Sequence, residues 1–459
     1  MEHTLFGTAV ERPTAEIPII IPAPRVKEST PRVRETPAAR PAPHPLAGKH
    51  ALLVGINYAP EPTGIAPYTT GMAEHLAQHA GSVTVLTGIP HYPNWTVNPS
   101  NKWTFRSSEE VALSNGTGLT LKRTRHYVPA KQSALTRAGY EATFLANASS
   151  TRLQHRPDLV IAVTPSLSGA VAGGRLARRH KSKLLVVVQD LMAKAATQSG
   201  IRGGDYAART TAAIERHAVS RADRVAIVSE AFRKQLNDYG VTDDKIAVLP
   251  NWTHISPTQL GQSQCRRDLG WAIEPFTVVH TGNMGLKQDL GNMVEAARLC
   301  QFQPGIHFVI VGDGSQRAAV EALGADVPNL TFVDPLDGDM YPKALAAADL
   351  LVVNERPGVG DMSLPSKLTS YLATGRPVLA AVAPDGATAQ ELHRTGGAAL
   401  IVPPGMPVPF IEAVLTLRLD PPRRARMSSA GREYAEAALG EKAAAARLDH
   451  LIEECLNTP

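Results

Sequence analysis

A chain of 459 residues predicts two or three domains at roughly 100–200 residues each. With 43% hydrophobic and 19% charged residues it has a globular composition, and a net charge of only +5 gives no ground for a nucleic-acid partner. Cys265, Cys300 and Cys455 stand far apart without CxxC spacing, which argues against a disulfide framework or a cysteine zinc site and for a reducing compartment. No apolar run reaches the roughly 18 residues that cross a bilayer, and Met1–Ala15 lacks a secretory pattern. The expectation is a cytoplasmic protein, free or peripheral on the inner face of the plasma membrane.

Residues 1–49 hold nine of the 36 prolines and almost no apolar periodicity. They read as a disordered Pro-rich tail, either idle or a docking arm. From His50 the texture alternates between strand and helix. Short β-branched runs at Ala51–Ile56, Val83–Thr87, Leu159–Val163, Leu184–Val188, Arg224–Val228 and Ile246–Leu249 read as buried parallel strands. Helical patterns at Ile65–Gln78, Ala134–Gln154, Gly169–Arg179, Arg209–Ser220 and Glu230–Tyr239 separate most of them. Asn251–Gly270 looks like a junction. The alternation then restarts with strands at Phe276–His280, His307–Val311, Leu330–Val333, Leu350–Val353, Val378–Ala381 and Ala399–Val402, and helices between them. Helical sequence from Pro422 to Leu456 ends the chain. This is an α/β architecture of two Rossmann-like, doubly wound domains facing a cleft. Their expected extents are residues 50–250 and 251–430, with helices in 431–459 packing back toward the first domain. Ligands of such sheets bind beyond the carboxyl ends of the strands.

The halves differ in charge. Residues 50–250 hold 23 Lys and Arg against 14 Asp and Glu, whereas residues 251–459 hold 17 against 23. The excess gathers at Lys122, Arg123 and Arg125, and at Arg175, Arg178, Arg179, Lys181 and Lys183. It is either a solvated face or a patch for an anionic membrane surface or a phosphorylated acceptor.

Three loops have anion-binding character. The first, Asn57–Tyr68, carries three prolines and Gly64 into a helix start, where free amides and the helix dipole suit an anionic or hydroxyl-rich ligand; an ordinary βα loop is the alternative. The second, His280–Asp289, places Gly282, Asn283, Gly285 and Lys287 at the mouth of a strand without Walker spacing. Val311–Gly314, with Gly312, is either part of that site or a plain turn. In the third, Gly358–Ser370, a glycine loop opens a helix whose first turns hold Ser366, Lys367, Thr369 and Ser370, with Gly375 as its stop.

Together these clusters resemble the GT4-type GT-B glycosyltransferases, in particular their colanic-acid and exopolysaccharide branch. The stretches that carry the resemblance are NYAPEPTGIAPYT at 57–69, TGIPHYPNW at 87–95, VQDL at 188–191, LPNW at 249–252, TGNMGLKQDL at 281–290, VGDG at 311–314 and LPSKLTSYLATGRPVLA at 364–380. The resemblance implies retaining transfer of a sugar from a nucleotide diphosphate sugar to a lipid-linked or saccharide acceptor, with no cofactor and no metal. The donor would bind the C-terminal half through Gly282, Asn283, Lys287, Gly312, Ser366, Lys367, Thr369 and Ser370. Thr63, Gly64, Tyr68 and His91 would line the acceptor and diphosphate side, and Asp190, Lys287 and Asp361 would serve the chemistry. The glutamate pair common in the family falls here on Met362 and Ser370. No paired carboxylates mark a double displacement, which favours a front-face route with Asp190 orienting or polarising. An epimerase-like enzyme and a non-catalytic sugar-nucleotide-binding module are the competing readings.

Overall fold

The computed structural model describes residues 44–62, 64–131, 133–192, 204–336, 338–358 and 365–458. Residues 44–458 belong to one compact unit. It contains an eight-stranded and a six-stranded sheet.

The first sheet comprises β1 (His50–Val54), β2 (Ser82–Gly88), β3 (Arg106–Ala112), β4 (Gly118–Thr124), β5 (Leu159–Val163), β6 (Lys183–Val188), β7 (Arg224–Ile227) and β8 (Ile246–Val248), in the order 3-4-2-1-5-6-7-8. All neighbours are parallel except β3 and β4. Around it lie α1 (Ala66–His79), α2 (Ala134–Ser149), α3 (Leu167–His180), α4 (Gly204–Val219) and α5 (Arg233–Asp238). β1 and β5 are buried along their whole length, as strands covered by helices on both faces must be. Successive residues feed opposite cores: Leu53 and Ile161 pack on one face, Leu52 and Val160 on the other.

After α6 (Gln262–Asp268) comes the second sheet: β9 (Phe276–Thr281), β10 (Ile306–Val311), β11 (Leu330–Val333), β12 (Leu350–Asn354), β13 (Val378–Ala381) and β14 (Ala399–Val402), all parallel and ordered 11-10-9-12-13-14. Its helices are α7 (Gly291–Leu299), α8 (Arg317–Gly324), α9 (Met340–Ala347), α10 (Lys367–Thr374), α11 (Ala387–Arg394), α12 (Pro407–Leu419) and α13 (Pro421–Ala438). α14 (Glu441–Asn457) ends the chain and sends Ala444, Leu448, Leu451, Ile452 and Cys455 into the core that β1 and α1 share. Where the chain returns toward that core, the Thr253 amide of the outgoing crossing donates to the Leu439 carbonyl of the incoming one, at 2.9 Å.

The pattern-based strands recur within a residue or two. The β3–β4 hairpin does not, because β3 (RSSEEVA) is polar and largely exposed and shows no buried-strand signature. The junction also hides α6, whose Arg266 is buried and donates to Ala347 O at 2.9 Å and to Asp349 at 2.6 Å.

Residues 44–49 fall in the expected tail, yet they form a turn closed by Ala47 N to His44 O and Lys49 N to Leu46 O, at 2.8 and 2.9 Å. Leu46 is fully buried in the first core. A chain starting at residue 50 should therefore be less stable than one starting at residue 44 by at least about 2 kcal/mol, the lower end for deleting a buried leucine. Paired urea titrations of the two truncations check this.

Candidate functional site

In the second sheet the order reverses between β9 and β12, and these strands pair only through Val278–Leu350 and Val279–Leu351. Beyond that point their carboxyl ends diverge, and loops fill the gap. Asn354, the last residue of β12, clamps one of them. Its Nδ2 donates to Gln288 O and Asp289 O at 2.7 and 2.9 Å, and its Oδ1 accepts from Asn292 at 2.8 Å. The Arg356 amide donates to Lys287 O at 2.8 Å. On the other side the Thr281 amide donates to the buried Tyr371 hydroxyl at 2.9 Å.

Two glycines let the neighbouring loop nest against this one. A Cβ on Gly312 would stand 2.0 Å from Gly282 O, and one on Gly314 would stand 2.6 Å from Met284 O; both residues have positive φ. These contacts are a sufficient reason for VGDG as a turn.

Lys287, Gln288, Glu355, Pro365 and Lys367 line a cavity of about 60 Å³ at the divergence. Lys367 opens α10, and its Nζ donates to His280 Nε2 at 3.1 Å. Burial brings the Lys367 ammonium down to about 7, and the Glu355 charge only partly opposes this. Burial also holds His280 well below its usual range, with Lys367 adding to the effect, so the imidazole is neutral. Glu355 is buried just past β12, accepts from Thr388 Oγ1 at 2.6 Å, and is pushed up to about 7 by burial against the pull of Thr388, Lys367 and Lys287. The cavity thus gathers two lysines and a carboxyl poised near neutrality, with a neutral imidazole behind Lys367.

Asp190 approaches from the first half, just after β6. Burial raises its carboxyl, while Lys287 and the Leu191 amide, 2.9 Å from Oδ1, pull it down. Tyr68, on α1, is buried against Trp252 and His254. Burial pushes its phenol up to about 12, with Thr369 and Tyr341 nearby. The 57–64 loop is held by Glu61, which accepts from Asn57 Nδ2 and from the His91 and Tyr92 amides at 2.8–2.9 Å. Gly64 takes φ +71°, and a Cβ there would meet Tyr92 at 3.1 Å.

The structure thus brings together Gly282, Lys287, Lys367 and Asp190, while Ser366, just before α10, is exposed. Asn283 lies on the same loop, exposed, beside Gln288. Thr369 and Ser370 are buried, and the Thr369 hydroxyl donates to Ser366 O at 2.9 Å. His91 is buried beneath the loop in a cluster with Trp95, His126 and Tyr140, with Nε2 3.2 Å from the Tyr140 hydroxyl, so its ring supports the loop from below. Thr63 and Asp361 lie outside the described residues. Glu355 is the residue that motif reading missed. Its one signal was an acidic side chain directly after an apolar strand, on the carboxyl edge where ligands bind.

Glu355 carries a pH signature. Its folded pKa of about 7 exceeds the ordinary 4.5, so the native state holds the proton more tightly. The resulting stability is complete below the lower value and lost as pH rises through the higher one. Glu355→Gln keeps an oxygen for Thr388 and cannot ionise. It should gain on wild type by about 3 kcal/mol between about pH 5 and pH 8, at about 1.4 kcal/mol per unit. Urea midpoints across that range measure the widening gap.

Family models match both halves: a glycosyl transferase 4-like domain over residues 63–252 and glycosyl transferases group 1 over residues 275–420. Among curated proteins, WcaI of Escherichia coli (strain K12), named as a colanic acid biosynthesis glycosyl transferase, is 29% identical over 404 residues, 85% of this chain and 96% of that protein. Among solved structures, sucrose-phosphate synthase from Thermosynechococcus elongatus superposes with a TM-score of 0.66 at 18% identity, over 88% of this chain and 98% of the other. HepE of Anabaena, solved in complex with UDP-glucose, gives 0.62 at 16% identity over 88% and 98%. These structural likenesses establish the GT-B fold.

Proposed function

The chain belongs to the group 1, GT4-type glycosyltransferases of the GT-B fold, and we propose that it transfers a sugar, with retention, from a nucleotide diphosphate sugar to a lipid-linked or saccharide acceptor in cell-surface polysaccharide synthesis. The observation that carries this reading is the convergence of Lys287 and Lys367 with the start of α10 where β9 and β12 part, opposite Asp190.

Breaking a glycosyl–phosphate bond leaves negative charge on the departing diphosphate and positive charge on the sugar. Lys287 and Lys367 stabilise the first charge, strengthened by a water-poor setting. Binding an anion restores to the buried Lys367 the charge that desolvation takes away. Two ammonium groups, a neutral imidazole and a half-protonated carboxyl suit phosphate oxygens better than a divalent cation, which supports a metal-free reaction. Asp190, raised by burial and tempered by Lys287, faces the transferred sugar and polarises the incoming acceptor. Similarity to the colanic acid biosynthesis glycosyl transferase of Escherichia coli supports an exopolysaccharide acceptor. The HepE complex supports a uridine diphosphate donor.

Lys287→Ala should weaken binding of a nucleotide diphosphate by about 1.5–3 kcal/mol, the worth of a hydrogen bond to a charged group. Calorimetry with uridine and guanosine diphosphates, beside circular dichroism of the variant, reads this. Equal affinity in both proteins rejects the assignment.

Among the described residues, no helix is long and apolar enough to cross a membrane. A lipid-linked acceptor then requires a docking face. Of the basic residues that the sequence points to, Arg123 is turned inward and donates to Ala59 O at 2.6 Å, while Lys183 donates to Thr458 O. A better face is the β3 approach. Trp103 and Phe105 are 86% and 58% exposed, and Lys102 and Arg106 each lie 5.6 Å from one of their rings. Aromatic rings beside cations suit an anionic bilayer interface. Trp103→Ser/Phe105→Ser should reduce co-sedimentation with phosphatidylglycerol liposomes at low salt several-fold. Unchanged sedimentation of the double variant, or none by wild type, removes this face from consideration.

A further inference from the structure

We propose that His44, His75 and Asp449 form a binding site for a divalent transition-metal ion of the zinc class, on the side of α1 remote from the cleft. The three residues come from three parts of the chain: the turn before β1, the last turns of α1, and α14. The Nε2 atoms of His44 and His75 converge on one oxygen, Asp449 Oδ1, at 2.9 and 2.6 Å. The three candidate ligand atoms lie within 4.8 Å of one another. Their side chains are only 14%, 17% and 28% exposed, so an ion held here would be largely shielded from water.

His79 follows His75 by four residues and shares its helix face. Its ring stacks on His44 with centroids 4.4 Å apart and lies 4.9 Å from that of His75, close enough to supply a fourth donor after a rotamer change.

Two imidazole nitrogens and a carboxylate oxygen form a zinc-type donor set, and imidazole selects against magnesium and calcium. A tetrahedral ion with ligand bonds of about 2.0–2.2 Å holds its donors about 3.3 Å apart. Asp449 Oδ1 stands at hydrogen-bond distance from both nitrogens, so loading requires it to draw back by less than about 1 Å, with metal replacing the protons between them, while the two nitrogens already lie within 4.8 Å of each other. The cost falls at His44. A neutral imidazole bound through Nε2 carries its proton on Nδ1, so the Leu46 amide contact to Nδ1, at 3.2 Å, must open. That contact is long and lies at the edge of the fold.

Tyr68, at the cleft, and the ligand His75 are separated by about 10 Å along α1, at about 1.5 Å per residue, several times a metal–ligand bond. The ion therefore takes no part in sugar transfer. It ties the turn before β1 and the last helix to α1, and this inference stands apart from the proposed reaction.

The test uses the full chain, stripped with a chelator and titrated with Zn²⁺ alone. Wild type should take up one ion per chain at micromolar concentration with a rise in Tm, and Co²⁺ in its place should give the visible absorption of a tetrahedral site. His75→Gln/Asp449→Asn should bind at least about tenfold more weakly, since even outer-shell changes cost 10–100-fold, and its Tm should not respond to Zn²⁺. His44→Ala lies outside the helices and gives the same reading should the double variant fail to fold. No stoichiometric uptake by wild type, or uptake by a folded variant equal to wild type, overturns the site and leaves a hydrogen-bonded clip in its place.

Discussion

Lys367 is half-buried beside a neutral imidazole and shares its cavity with Glu355, and much of the donor-side architecture follows from that placement. An ammonium group taken out of water costs several kcal/mol unless an opposite charge or a lost proton relieves it. Here desolvation carries Lys367 toward neutrality and raises Glu355 in the same cavity, while the attraction between the two groups opposes both shifts. The surroundings then have to be rigid, because a loop free to move would let water back in. Asn354 fastens the lysine loop to β12, the Thr281 amide is taken up by Tyr371, and the bare backbone of Gly312 and Gly314 lets the adjoining loop close from the other side.

This division of roles explains which parts of the molecule could be read from residues in a row. Leu159–Val163 and Leu330–Val333 were legible as strands because each run is short, apolar and β-branched between turn residues. β3 was not, since an exposed edge strand has no reason to be apolar. Gly282 and Lys287 in the loop after β9, and Lys367 at the start of α10, stood out as candidates because each falls where a loop meets a strand end or a helix N-terminus. Glu355 was not, because its significance lies in what surrounds it: ionised on a surface it would be ordinary, whereas burial beside two lysines shifts it. Arg123 was misread for the converse reason, since a charge count cannot distinguish a guanidinium facing solvent from one bridging Ala59 O and Gly88 O. His75 and His79 could be seen as a pair on one helix face, but their carboxylate partner lies more than 370 residues away in sequence.

The return of α14 to the first core has a mechanical consequence. Because the last helix is packed with β1 and α1, the chain crosses between the two sheets twice, and the Thr253–Leu439 hydrogen bond holds those crossings side by side. A single tether would let one lobe swivel freely about the other. Two crossings held side by side restrain that swivelling, because any rotation of one lobe has to carry both strands of chain with it. Asp190 and Lys287 come from the two lobes that these crossings join, so the same doubled connection that returns α14 to the first core also keeps the two charges in register.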